Sequence, residues 1–226
     1  MPDTLYADVS EWQIGVDDSY PHRVLAIRSN DGTYRDRRWD NNYAWCRRSA
    51  DNGRLAFFIV YFVWRPNWRQ TVETFQEQVG APHQKMAVML DVESCGGQIR
   101  GDHSAGINAA WRAVGAYVGS TAKVLGYGNV ADLNRLWAHK PPGIRLVVAG
   151  YGHNPPYPGK LAHQYTDGSG HGGGLPEGAP PFGRCDMNSA DGLAPDDFAR
   201  ACGVSTTDSA EPAIQNTKNR RENRRI

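Results

Sequence analysis

Residues 86–95 read Met-Ala-Val-Met-Leu-Asp-Val-Glu-Ser-Cys, an apolar run that closes on two carboxylates, Asp91 and Glu93. Alternate residues of a strand share a face. Both acids are therefore expected side by side, with Val92 turned into the opposite layer. Carboxylates held that close repel, and their proton affinities are driven apart. Taken alone, these ten residues fit a hydrated strand end as well as a reactive site. The rest of the chain has to decide.

Upstream, residues 55–63 (LAFFIVYFV) form a continuous apolar run, the pattern of a strand covered on both faces. Residues 5–9 and 24–28 read as shorter strands, the second followed by the turn signal Asn30-Asp31-Gly32. Helical spacing marks residues 39–51, which stop at Asn52-Gly53, and residues 70–79, which are closed by Gly80 and Pro82. Downstream, 105–118 is a predicted helix with Ile107, Trp111, Val114 and Val118 on one face. A strand is predicted at 122–127 and a short helix at 130–137.

This alternation of strand and helix predicts a parallel sheet with right-handed crossovers. It then stops. Strands are expected at 145–149 and 161–165, but the proline- and glycine-rich segment between them cannot be helical. The segment 167–183 is equally hostile to helix before Arg184-Cys185-Asp186-Met187-Asn188 resumes. The order fits an α/β fold, an irregular (β/α) barrel of about eight strands with helices lacking in its last third. An open doubly wound sheet would carry a glycine-rich loop after its first strand, where this chain has Val-Ser-Glu-Trp-Gln. The barrel is expected to occupy residues 1–202. From 203 to 226 the chain is polar and ends in a basic run, the composition of a tail and not of a core element.

With 226 residues, 40% of them hydrophobic, the chain supports one large domain with a tail. No apolar run approaches a membrane span, and Met1 to Tyr6 lacks the pattern of a signal peptide. A formal net charge of +1 offers no global attraction to nucleic acid or membrane. Neither is an expected partner; the four arginines at 220, 221, 224 and 225 are a short patch only. The four cysteines have no C-x-x-C spacing and the histidines are scattered, so no metal and no cofactor is expected. For Cys95 and Cys185, buried free thiols are favoured over a disulfide.

In a parallel barrel the C-terminal strand ends open on one face. Acids at strand ends are Asp8, Asp91, Glu93 and Asp186, four carboxylates expected to share one mouth. Loop acids such as Asp36 and Asp102 read as solvated. His171-Gly172-Gly173-Gly174 reads as a flexible loop, since no nucleophile elbow accompanies it.

These residues also carry a family resemblance. Asp8-Val9-Ser10-Glu11-Trp12-Gln13 resembles the D-V-S-x-W-Q signature of glycoside hydrolase family 25, the Chalaropsis-type lysozymes. Asp31 to Asp36 with Asn42, Ala50 and Gly53, Tyr61 to Pro66, Leu90 to Glu93, Gln164-Tyr165-Thr166 and Asp186-Met187-Asn188 resemble further family blocks, in order. The chain departs from the pattern at Phe62, His163 and Val147, where the family often has a histidine and two tryptophans. The resemblance implies an irregular barrel and a muramidase that cuts the β-1,4 bond between N-acetylmuramic acid and N-acetylglucosamine. Bacterial peptidoglycan would be its substrate. A phage lysin or virion-associated wall hydrolase is the implied setting, reached from the host cytoplasm or carried on the virion, with the tail as a contact to virion proteins. The competing reading is a non-catalytic glycan-binding or structural virion protein.

On the implied chemistry Glu93 is the general acid, its pKa raised by Asp91 and Asp186. Asp91 stays ionised and acts on the anomeric centre or orients the substrate's N-acetyl group. Asp8 and Asp186 hold the cluster. Tyr61, Trp64, Trp12, Tyr127, Tyr165 and Gln164 are candidates for substrate contact, with Trp68 a further stacking surface; core packing is the competing role for each aromatic.

Overall fold

The structure, a computed structural model, describes residues 3–205. The tail expected beyond 202 therefore lies outside the described residues from 206 onward. Strands β1 (Leu5–Val9), β2 (Val24–Asp31) and β3 (Tyr34–Arg35) come first, followed by helix α1 (Trp39–Asp51) and strand β4 (Phe57–Val63). Helix α2 (Trp68–Val79), strand β5 (Met86–Asp91), helix α3 (Ser104–Tyr117), strand β6 (Val124–Asn129) and helix α4 (Val130–Leu136) continue the alternation. Then come β7 (Leu146–Ala149), β8 (Lys160–Thr166), a small ribbon of β9 (Gly178–Ala179) with β10 (Gly183–Arg184), β11 (Asp186–Ser189) and helix α5 (Pro195–Ala201).

Eight of these strands close a barrel in the order β1-β11-β8-β7-β6-β5-β4-β2, with β1 pairing β2 to complete the ring. Seven run parallel. The exception is β11, antiparallel to both β1 and β8. The run at 55–63 shows why the strands read as uniformly apolar. Within β4, Phe57, Ile59 and Tyr61 turn into the barrel, while Phe58, Val60 and Phe62 pack outward under the helices. Helix α1 buries Trp39, Tyr43, Cys46 and Ala50 on that outer layer, and α2 buries Val72, Phe75 and Val79. Gly126 of β6 faces this layer: a Cβ there would collide with the Trp137 ring and come within 2.8 Å of Leu146. The close approach of the segment after α4 therefore demands glycine.

The helix-poor last third is present as expected, with two features that the pattern did not announce. A 3₁₀ turn, Thr121–Lys123, occupies the start of the segment predicted as strand. Helix α5 closes the barrel at the end away from the strand termini that carry the acids. There Phe198, Ala199, Cys202 and Val204 join the barrel's inner side chains, and the Phe198 ring lies 5.5 Å from Tyr6 and 5.2 Å from Phe57, centroid to centroid. All four cysteines are unpaired thiols, three buried and Cys95 half-buried.

Candidate active site at the barrel mouth

The four strand-end acids converge. Asp8, Asp91, Glu93 and Asp186 line one cleft of roughly 290 Å³, together with Tyr61, Tyr127, Gln164 and Trp12 from the sequence reading. Asp91 ends β5 on the inward face, in line with Ala87 and Met89, and Val92 turns outward. The spacing of 91 and 93 thus acts as strand geometry requires. Asp186 arrives from the other direction. It begins an antiparallel strand and stands opposite Asp8 in the register, so it reaches the mouth as an N-terminal and not a C-terminal strand end.

Two amides position Asp8. Gln164 Nε2 donates to Asp8 Oδ2 at 2.9 Å and Asn188 Nδ2 donates to the same oxygen at 2.6 Å. The Gln164 carbonyl in turn accepts from the Tyr127 hydroxyl at 2.7 Å and the Tyr151 hydroxyl at 2.9 Å. These phenols fix the orientation of the amide, so its N–H end faces Asp8. By contrast Asp91 Oδ1 is buried and receives no hydrogen bond among the described residues. A buried acceptor left without a donor is costly, and this one borders the open cleft.

Electrostatics push all four carboxyls towards the protonated form. Asp91, 7% exposed, is raised well above the ordinary range, first by burial and then by Glu93 and Asp8. Glu93 is raised by burial, then by Asp132 and Asp8. Asp186 is raised to about 8 by burial and by Asp8, Asp167 and Glu93. Asp8 is raised by burial against the pull of its two amide donors. The sequence reading therefore needs correction. Burial and Asp132, not crowding by Asp91 and Asp186, lead the rise at Glu93, and burial together with Glu93 and Asp8 disfavours the Asp91 anion in the free cleft. Protons are shared across the set.

The loop acid Asp36 is not solvated. It is buried at the foot of the Trp12 loop, where it accepts the Glu11 backbone N–H at 2.9 Å and pairs with Arg28 at 3.0 Å. Glu11 accepts from the Tyr34 hydroxyl and from Arg37, and these contacts hold Trp12 outward, 76% exposed, at the rim. Asp102 is exposed and accepts the Ser104 N–H at 2.8 Å just ahead of α3.

Two expected substrate contacts lie elsewhere. Trp64 is 1% exposed, packs in the outer core against His103, and does not line the cleft. Tyr165 alternates with Gln164 and so points out of the barrel, where its hydroxyl donates to the Pro176 carbonyl at 2.8 Å. Trp68 is likewise outside the cleft, packed partly against the outer core. Sequence reasoning missed four contributors. Tyr151 sits in a turn that no periodicity marks. Asp31, at the end of β2, and Arg65, just past the end of the neighbouring β4, pair at the cleft, with Arg65 Nη2 donating to Asp31 Oδ2 at 2.7 Å. Buried Asp132 stands behind Glu93 and accepts the Ser94 N–H at 3.0 Å. Asp31 and Arg65 stand within the family-like blocks at 31–36 and 61–66, and Asp31 is also an acid at the end of β2, but neither was singled out.

No family model matches the chain. It is 54% identical over 210 residues to the uncharacterized protein Rv3766 of Mycobacterium tuberculosis (strain ATCC 25618 / H37Rv), covering 92% of this chain and 76% of that one. Among solved structures, it is similar to the CTP1L endolysin, with a TM-score of 0.66 at 16% identity over 88% of this chain and 69% of the other. It is also similar to a family 25 glycosyl hydrolase from Bacillus anthracis, with a TM-score of 0.66 at 13% identity over 87% and 92% of the two chains.

Proposed function

The chain belongs to one family with the Mycobacterium tuberculosis protein Rv3766 and carries the glycosyl hydrolase family 25 fold, and from this we propose that it hydrolyses the sugar backbone of peptidoglycan. The observation that carries the reading is the set of four carboxyls in one cleft, with Asp91 Oδ1 buried and unpartnered among the described residues. Glycoside hydrolysis needs a carboxylic acid to protonate the leaving oxygen and a negative or nucleophilic group at the developing oxocarbenium centre. Burial serves the first requirement, since it favours the protonated form of a carboxyl.

Glu93 is the proposed acid. It lies just past the strand end, at the cleft's side, beside Asp132, which disfavours its anion. Asp91 lies deeper. Its free oxygen is placed to accept the acetamido N–H of a bound amino sugar, which would favour the Asp91 anion and aim the acetamido carbonyl at the anomeric carbon. Asp8, held by Gln164 and Asn188, and Asp186 complete the negative field around that centre. The bond proposed is the β-1,4 link that leaves N-acetylmuramic acid as the new reducing end. The setting proposed is the bacterial wall, whether the chain serves a phage as a lysin or a bacterium as its own wall enzyme.

Release of new reducing ends from purified peptidoglycan tests this, comparing the natural chain with Glu93→Gln. The substitution keeps the shape and removes the donatable carboxyl proton. Activity abolished by it is the expected result. Equal release from both would move the acid to another carboxyl. No release from either, on several wall types, would leave a glycan-binding protein on a hydrolase scaffold.

A further inference from the structure

The glycine-rich segment after β8 is built, not loose. Glu177 accepts hydrogen bonds from the Gly170 and Gly172 backbone N–H groups and from the Thr166 hydroxyl, which anchors residues 170–172 to the end of β8. His171, between the two tied glycines, is thereby held against Tyr151. The two rings lie 15° from parallel with centroids 5.8 Å apart. Aromatic rings prefer such an offset arrangement. Tyr151 is fixed from its own side as well. Its hydroxyl donates to Gln164, and the Gly150 carbonyl before it is hydrogen-bonded to His163 Nε2 at 2.7 Å.

The result is an aromatic shelf of two offset-stacked rings at the edge of the carboxylate cleft. Tyr151 is 38% exposed and lines that cleft, and His171 is exposed beside it. The hydroxyl that would hydrate Tyr151 is already engaged inside the protein, and the Glu177 carboxylate beneath the loop is consumed by backbone N–H groups. What the shelf offers outward is therefore aromatic surface. The apolar C–H face of a pyranose is the ligand chemistry that such a surface takes, and its hydroxyls remain free for the polar cleft.

We infer that the stacked Tyr151–His171 pair is a sugar-binding platform, on which one pyranose of the glycan packs while its neighbour lies at the four carboxyls. His171 is then a specificity residue that acts by its ring. The inference deepens the hydrolase reading and rests on it for the identity of the glycan.

The test uses binding of the N-acetylglucosamine tetrasaccharide to full-length protein carrying Glu93→Gln, by calorimetry, with His171→Ala, His171→Gln and His171→Phe added singly. Loss of the ring in the Ala and Gln variants is expected to weaken binding about fivefold to tenfold, the scale of one lost aromatic contact. The Phe variant keeps a ring and should stay within about twofold of its parent. Thermal midpoints should not move, because His171 is exposed. With Glu93 restored, the Ala change should raise KM on peptidoglycan while kcat falls far less. Unchanged binding in His171→Ala, equal losses in Ala and Phe, or a parent that does not bind the tetrasaccharide would each overturn the platform. Ring-dependent binding without any release of reducing ends by the natural chain would keep the platform and remove the hydrolase. Hydrolysis without ring dependence would do the reverse.

Discussion

Replacing Asp186 with asparagine should stabilise the protein, and more so as the pH rises. Burial and three neighbouring carboxylates raise its pKa from 3.8 to about 8. Between those values the unfolded chain has lost the proton that the native state still holds. Stability therefore falls as pH climbs through that window, and levels off above it. The full shift corresponds to a ceiling of about 6 kcal/mol, at about 1.4 kcal/mol per tenfold change in proton affinity. Asp186 is half-buried and shares protons with Asp8, Asp91 and Glu93, so solvent screening and redistribution within the set reduce the ceiling to about 1–3 kcal/mol. Asparagine also keeps a donor for Asp8, its partner across the strands. Urea unfolding of both proteins at pH 5 and pH 8.5 measures the effect; the difference should be small at the lower pH and about 1–3 kcal/mol at the higher. An asparagine variant that is less stable at pH 8.5, or a difference independent of pH, would refute the view that ionising this cluster opposes folding.

Two further perturbations address the scaffold. Phe198→Ala removes the ring that α5 inserts against Tyr6 and Phe57, and should cost about 3–5 kcal/mol. A loss under about 1 kcal/mol in urea unfolding would mean that α5 does not seal the barrel. Asp36→Ala strips the partner of Arg28 and the acceptor of the Glu11 N–H inside a buried site, for a loss of about 3 kcal/mol. Trp12 should also lose its fixed position, read as a shift in tryptophan emission, and an unchanged melt would return Asp36 to the solvent-exposed role first expected of it.

The parts of the fold that were readable are those in which one element's own side chains decide its fate. The runs at 57–63 and 86–91 are apolar on both faces because one face meets the barrel interior and the other meets helices. Strand direction is not written this way. β11 has the same local character in either orientation, and only its pairing with β1 and β8 makes it antiparallel. Asp186 was still located correctly, because either end of a strand places a side chain at one mouth or the other. Asp36 was misread for a related reason: its burial depends on Arg28 and Glu11, neither of which marks it as buried. Trp64 and Tyr165 were placed in the cleft because of their neighbours in sequence, yet alternation turns both outward from Arg65 and Gln164, which do line it. Tyr151 escaped notice and the His171 loop reads as flexible from sequence because a turn and a glycine-rich loop have no period from which to read a facing, and the Glu177 anchor of that loop lies outside it in sequence.

The hydrolase reading of the cleft turns on its cutting the glycan on the muramic acid side. The decisive experiment digests purified peptidoglycan, reduces the new ends with borohydride and identifies the reduced amino sugar. The expected product is the reduced alcohol of muramic acid, formed by the natural chain and absent with Glu93→Gln. Reduced glucosamine in its place would contradict the assigned bond, and product formation that survives Glu93→Gln would contradict the assigned acid.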